Sequence, residues 1–271
     1  MTDNKWWGDF SFDNQQSKSW QIGERAITIK RSVNEWNCWN CDTEDEIDQP
    51  IVQRELNNNN QESDTSEKMF GRYLENHSEG KIRILPLLAD RSVVTRPATP
   101  LTLLAGESAR LFISTPIWFS AQTLTDHKTL PTQQVFLDLP FWRPSDSWFG
   151  ASTIDGQLCY AKYTSARVQL DHLEKRSHRA ITPITVINHQ HTPLVIERIN
   201  VPVNLLHLYC DNHHQFWTSG ITVTTENNSK NVEMHINQKV PTEVHSYELI
   251  STPRIKSETN KLIRNISNLF G

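Results

Sequence analysis

Short segments in which apolar and polar side chains alternate recur along this chain, and they limit its fold more than any other feature. The stretch 26–31 alternates in this way, and the stretches 184–187 and 194–199 are rich in Ile, Val and Leu and lie either side of turn residues. Segments of this length and composition predict β-strands, and the scarcity of helical periodicity between them favours antiparallel neighbours. We therefore predict an all-β protein, an antiparallel β-sandwich built as one sandwich or as two sandwich-like halves.

The C-terminal segment 253–271 is the place where the sequence predicts a short amphipathic helix. Ser257 has the side chain of an N-cap, and apolar residues follow it at spacings of three and four. Such an apolar stripe docks on its own domain or binds a partner protein. The candidate partner-binding residues of this tail are Leu262, Ile266, Leu269 and Phe270.

An acidic, Asn-rich stretch divides the chain. Nine Asp or Glu residues and one Arg between Asp42 and Glu67 give a local net charge of −8. Low hydrophobicity combined with high net charge predicts a disordered insert at 42–68. This insert separates N-terminal strands at 1–41, which we expect to pack on the main domain, from the main β-sandwich region at 69–252.

Charge and apolar pattern argue against several classes of protein. The formal net charge is −4 and no strongly basic stripe stands out, which argues against nucleic acid as a partner. The sequence has no signal-peptide core and no apolar run of about eighteen residues that would span a bilayer. We therefore expect a cytoplasmic protein whose four Cys are thiols, with peripheral membrane contact left open.

No arrangement of residues in the sequence marks a catalytic centre. The chain lacks GxSxG, HExxH and the glycine-rich phosphate loops, so the sequence leans against an enzyme and implies no cofactor. Cys38 and Cys41 have CxxC spacing, but no second Cys or His pair lies nearby and no βαβ context surrounds them. We interpret this spacing as a coincidence.

The histidines offer a weaker alternative, a transition-metal site. Two pairs lie in turns, His189 with His191 and His213 with His214. They would bind a metal ion only if the two turns met at one end of the fold. Solvated histidines in polar turns are the favoured interpretation, so we predict no metal site.

Residues 146–161 form the most distinctive segment of the chain. Gly150 and Gly156 bracket a short polar turn, and Trp148 and Tyr160 lie just outside it. We expect both aromatic side chains to be buried anchors of a turn that joins two strands. We also expect one of the two glycines to have a positive φ.

An alternative places a ligand-binding site near this turn. Nine Trp residues is a high count, and most of them are expected in the core because Trp buries much apolar area. An exposed subset would stack on a sugar or another small ligand, beside basic side chains that attract an anion. The candidate ligand-binding residues are Trp118, Trp142, Trp148, Arg167 and Arg179.

Several short segments stand in a characteristic order along the chain. They are Trp6–Phe10, Arg83–Pro86, Arg96–Pro97, Ile113–Trp118, Trp148–Tyr160 and Ile181–Pro183. This series resembles the bacterial and archaeal family called domain of unknown function 432, over nearly the whole chain. The resemblance implies an all-β cytosolic protein without established catalytic residues, often encoded beside small mechanosensitive channel proteins.

The amphipathic tail, the Trp-rich N-terminus and the lack of a catalytic centre lead us to expect a non-enzymatic accessory module that binds another protein. By family association only, the resemblance points to a membrane or mechanosensitive channel protein as that partner. The alternative is a small-ligand or carbohydrate-binding module, or a degenerate hydrolase, with an aromatic site near Trp148.

Overall fold

The computed structural model describes residues 5–55, 69–75, 79–124, 133–142, 144–150, 152, 154, 156–227, 229, 231–257, 259–266 and 269–270. The strands among them are β1 (Gly8–Ser11), β2 (Ser17–Ser32), β3 (Glu35–Glu55), β4 (Met69–Leu74), β5 (Lys81–Leu88), β6 (Val93–Pro97), β7 (Leu101–Leu103), β8 (Ser108–Leu124), β9 (Gln133–Pro140), β10 (Ser145–Phe149), β11 (Gln157–Ala166), β12 (Arg179–Asn188), β13 (Leu194–Ile196), β14 (Ile199–Val201), β15 (Leu208–Asp211), β16 (Phe216–Thr218), β17 (Ile221–Thr225), β18 (Asn231–Ile236), β19 (Tyr247–Ser251) and β20 (Lys261–Asn265). Two three-residue 3₁₀ turns lie at Leu170–His172 and Val203–Leu205. The prediction of a β protein is confirmed.

The chain divides into two units. Unit 1 comprises Met1–Pro86 and Trp118–Trp142, and unit 2 comprises Leu87–Ile117 and Arg143–Gly271. Each unit is formed by contacts between segments that are distant in the sequence. The domain bounds that the sequence predicts from composition stay a prediction.

Long antiparallel strands frame unit 1. β2 and β3 form a hairpin whose register runs from the pair Ser17 and Glu55 to the pair Ser32 and Glu35, and β4 pairs with the other edge of β3. β1 pairs with β5, and β9 pairs with the end of β8. Because β3 continues to Glu55, the first part of the predicted disordered insert is a paired strand. The rest of that insert, 56–68, lies outside the described residues.

Aromatic side chains fill the core of unit 1. Trp6, Trp20 and Trp36 are fully buried. The rings of Trp6 and Trp20 lie 6.0 and 5.5 Å from that of Phe119, and Trp36 stacks on Phe136 at 6.0 Å. The Trp-rich N-terminus therefore supplies a core and not an exposed aromatic surface, as the burial tendency of Trp predicts.

Two sheets carry most of unit 2. In the larger one, β12 lies antiparallel to the start of β8 and parallel to β16 and β17. β15 and β19 continue from β16, and β18 and β20 continue from β17. The smaller sheet has the order β10, β11, β6, β14, with β11 and β6 parallel. The prediction of antiparallel pairing is wrong at these three pairs, where strands separated by long connections meet.

The C-terminal segment is a strand where the sequence predicted a helix. β20 pairs antiparallel with β18, and Leu262 lies opposite Met234. Beyond it, the backbone N–H of Asn200 donates to the carbonyl of Leu269 at 2.9 Å, and the side chains of Leu269 and Phe270 are buried. The helix prediction fails because β18 offers a strand edge, and residues 261–265 pair with that edge in the extended form.

Candidate functional site

β10 and β11 form an antiparallel hairpin that contains the glycine-bracketed turn. Trp148 lies opposite Leu158, and Phe149 lies opposite Gln157. Gly150 has a positive φ of 151°, and Tyr160 is 4% exposed, so both of those predictions are confirmed.

The prediction that Trp148 is buried is wrong, because its side chain is 50% exposed. Consecutive side chains of a strand point to opposite faces of the sheet. The next residue, Phe149, takes the inner face, where it packs with Val94 and Cys159. Only one of the two adjacent aromatic side chains can be buried there, and Trp148 is left on the outer face.

The exposed indole of Trp148 is nevertheless held in one position. Its Nε1 donates a hydrogen bond to the carbonyl of Ser152 at 3.1 Å. A Cβ added to Gly156 would lie 2.2 Å from Nε1 and 2.5 Å from Cε2, so the ring lies directly on the glycine backbone. Gly156 is therefore required for the close approach of the indole.

Three apolar side chains of this hairpin are open to solvent, and we call them the hairpin face. Trp148 is 50% exposed, Leu158 is 48% exposed, and Ile154, in the connecting loop, is 89% exposed. The sequence pointed to Trp148 but missed the other two. The strand register identifies Leu158 as the neighbour of Trp148. Ile154 was missed because the other residues of its turn are mostly polar.

An ionic network fixes the start of the hairpin. The guanidinium of Arg91 donates to Asp146 at 3.1 Å and lies 5.4 Å from the ring centre of Tyr160, which is opposite Asp146 in the register. The hydroxyl of Tyr160 donates to Asp90 at 2.9 Å. These contacts bury Tyr160 and give the hairpin face a polar border.

The other predicted ligand-binding residues are not members of the hairpin face. Trp118 is buried and Trp142 is half-buried, and both belong to unit 1. Arg179, in unit 2, lies 4.0 Å from the carboxylate of Glu174. Arg167 exchanges two backbone hydrogen bonds with Phe112 and lines a pocket of unit 2 that includes neither Trp148 nor Arg179.

The four histidines remain in their turns. His189, His191, His213 and His214 are all exposed. Within the described ranges, no three or more His, Cys, Asp or Glu side chains are grouped so as to hold a metal ion. The alternative of a histidine metal site therefore finds no support in this part of the chain.

Cys38 and Cys41 lie three residues apart in the extended strand β3. That spacing places their Cα atoms about 10 Å apart and on opposite faces, beyond the reach of a disulfide. Cys38 is buried and Cys41 is half-buried. Burial raises the pKa of the Cys38 thiol to about 12, so this residue is an unreactive part of the core.

The four residues of the predicted partner-binding tail are buried or half-buried within unit 2. Leu269 and Phe270 are buried, while Leu262 and Ile266 are half-buried. Ile263, on the other face of β20, is 70% exposed. The sequence predicted an apolar stripe that either docks on its own domain or binds a partner. The last two residues of that stripe, Leu269 and Phe270, are docked.

These features define a mostly β protein with an exposed apolar hairpin. The chain belongs to the family described as protein of unknown function DUF432, which it matches over residues 6–270, so the resemblance is confirmed. No curated protein and no solved structure matches it. Across the described part of the chain, no helix has the length and apolar character needed to cross a bilayer.

Proposed function

We propose that this chain is a non-enzymatic protein-binding module that contacts its partner through the hairpin face. The observation that carries the proposal is the exposure of Trp148, Ile154 and Leu158 on one hairpin. Tryptophan is enriched among the residues that dominate the binding energy of protein interfaces. We also propose that the sheets form the sandwich predicted from the sequence and that the protein is cytoplasmic.

The fixed position of the indole supports binding. Its N–H is already bonded to Ser152, so a partner can cover the ring without leaving a buried donor unsatisfied. The side chain also has little freedom left to lose, which lowers the entropic cost of association. The Arg91 network beside it provides the polar border that surrounds many interface cores.

The first partner to test comes from family association alone. The resemblance implies that members of the family are often encoded beside small mechanosensitive channel proteins, so a channel protein encoded beside this chain is the candidate. Purified channel in lipid nanodiscs should bind the full chain, and empty nanodiscs should not. Binding to empty nanodiscs would instead indicate a lipid partner.

A photo-crosslinking experiment tests the surface itself. A photoreactive phenylalanine analogue is placed at Ile154, or at Val195 as a control, because Val195 is also exposed in unit 2. We expect a discrete adduct with the channel from position 154, none from position 195, and loss of the adduct in a Trp148→Ser background. Equal adducts from both positions, or none from either, would contradict the assignment of the hairpin face as the binding surface.

Carbohydrate binding is the second candidate, because an indole that contacts Gly156 and has half of its area exposed leaves a surface on which a sugar ring stacks. The NMR signal of the Trp148 indole N–H should then shift saturably with one of a panel of sugars. Millimolar sugar without any shift would remove this candidate.

A further inference from the structure

A pocket of about 350 Å³ opens in unit 2, apart from the hairpin face. Its volume lies within the range of small-molecule sites, roughly 300 to 1,000 Å³. Leu111 and Ala166, which are both buried, contribute to its lining, and Leu101 and Val168 add further apolar surface.

The backbone around the pocket is held by strand pairing. Arg167 donates to the carbonyl of Phe112 at 2.9 Å and accepts from its N–H at 2.7 Å. Ala166 lies beside Pro97 in the parallel register of β11 and β6. The lining therefore belongs to paired segments, which favours a pocket that exists before a ligand arrives.

The basic side chains that line the pocket are Arg167 and His172, and no Asp or Glu among the described residues lines it. In the described ranges of the chain, the guanidinium of half-buried Arg167 has no ion pair or hydrogen bond. Two other half-buried arginines of unit 2 are paired, since Arg110 bonds Glu243 at 2.7 Å and Arg91 bonds Asp146 at 3.1 Å.

We infer that this pocket binds a small carboxylate with an aliphatic or aromatic body. The apolar body packs against Leu111, Ala166 and Val168, and the acid head meets the unpaired charge of Arg167. Arginine recognises carboxylates through charge-assisted, often bidentate hydrogen bonds. The inference is independent of the proposed protein-binding role, because the pocket and the hairpin face share no residue.

Three probes of equal length test the chemistry on the full chain. Octanoate, octanol and octylamine are titrated while amide signals of the isotope-labelled protein are followed by NMR. We expect octanoate to bind about tenfold more tightly than octanol, because one charge-assisted bond is added, and octylamine to bind more weakly than octanol. Failure of all three to bind at millimolar concentration, or octylamine binding as tightly as octanoate, would overturn the inference.

Two variants locate the site. Ala98→Phe places a ring at the exposed lip of the pocket and should reduce octanoate binding at least tenfold, while Ala105→Phe, in another exposed turn of unit 2, should not change it. Arg167→Gln should lower octanoate affinity to that of octanol and leave octanol unaffected. Equal binding by the two phenylalanine variants, or an unchanged preference for octanoate in Arg167→Gln, would show that the site lies elsewhere.

Discussion

Gly156 is the residue on which the position of the Trp148 indole depends. Replacement by Ala would put a methyl group 2.2 Å from Nε1, so the ring must move and its bond to Ser152 must break. We expect a loss of about 1 kcal/mol of stability, at the low end for overpacking because the ring is half exposed, and a clear shift of the Trp148 indole signal.

Gly106→Ala is the matched control for this prediction. A Cβ at Gly106 meets no atom within 4 Å, but its φ of +80° strains any side chain there. It should therefore lower stability and leave the Trp148 signal in place. An unmoved indole signal in Gly156→Ala would contradict the close contact that we describe.

Thiol reactivity is a second prediction for single residues. Cys41 is half-buried, whereas Cys38, Cys159 and Cys210 are buried, and burial raises the pKa of both Cys38 and Cys159. Iodoacetamide at pH 8 should therefore label Cys41 in the native protein and all four residues in urea, because the thiolate is the reactive form. Labelling of Cys38 at the rate of Cys41 in the native protein, detected by peptide mass spectrometry, would contradict their placement on opposite faces of β3.

At the scale of elements, the C-terminal tail, β20 with the residues that follow it, offers a direct test. Leu269 is fully buried, so Leu269→Ala should cost roughly 3 kcal/mol of stability, measured by urea unfolding. Ile263→Ala should cost less than about 0.5 kcal/mol, because Ile263 is 70% exposed on the other face of β20. Similar costs for the two variants would contradict the docking of the tail.

The sequence predicted most strands because alternation marks one buried face, as in β12, where Ile184 and Val186 are buried and Thr185 and Ile187 are less so. It wrongly predicted a helix at 261–266, because the spacing of Leu262, Ile263 and Ile266 fits a helix, whereas the strand depends on pairing with β18. The parallel pairing of β12 with β16 and β17 could not be predicted from the sequence either. This pairing depends on which distant segment offers an unpaired strand edge, and a local sequence pattern contains no information about that.

The hairpin shows the same limit within a site. Gly150 and Tyr160 behaved as the turn chemistry predicts. The prediction that Trp148 is buried was wrong because only one of two neighbouring aromatic residues of a strand can lie on its inner face. The inner residue is Phe149, which packs with Val94 and Cys159, and the sequence does not show this packing.

At the scale of the whole molecule, carboxylates in both units set the response to acid. Hydrogen bonds from Arg83 and Arg72 lower the pKa of Asp9 and of Glu35. Burial alone would raise the pKa of Glu243, but the bonds and charge of Arg110 leave it lowered. A lowered folded-state pKa stabilises the protein above the unfolded value, and this stability is lost as the pH falls through the folded value.

Buried acidic groups set the response to alkali with the opposite sign. Burial raises the pKa of Cys38 from 9.0 to about 12, and it also raises the pKa of Tyr73 and Tyr209. In the unfolded chain these groups ionise first, so stability falls as the pH rises above about 9. The Cys38 thiol alone should remove about 1.4 kcal/mol for each pH unit until its folded-state pKa is reached.

We therefore expect the urea midpoint of the full chain to be highest near neutral pH and to fall on both sides. Glu243→Gln should flatten the acid limb, and Cys38→Ala should flatten the alkaline limb while lowering stability at neutral pH, because it leaves a small cavity. Each variant should leave the slope of the opposite limb unchanged. An alkaline limb as steep in Cys38→Ala as in the parent chain would show that this thiol ionises at the same pH in the folded and the unfolded chain, and its place in the core of unit 1 would then be wrong.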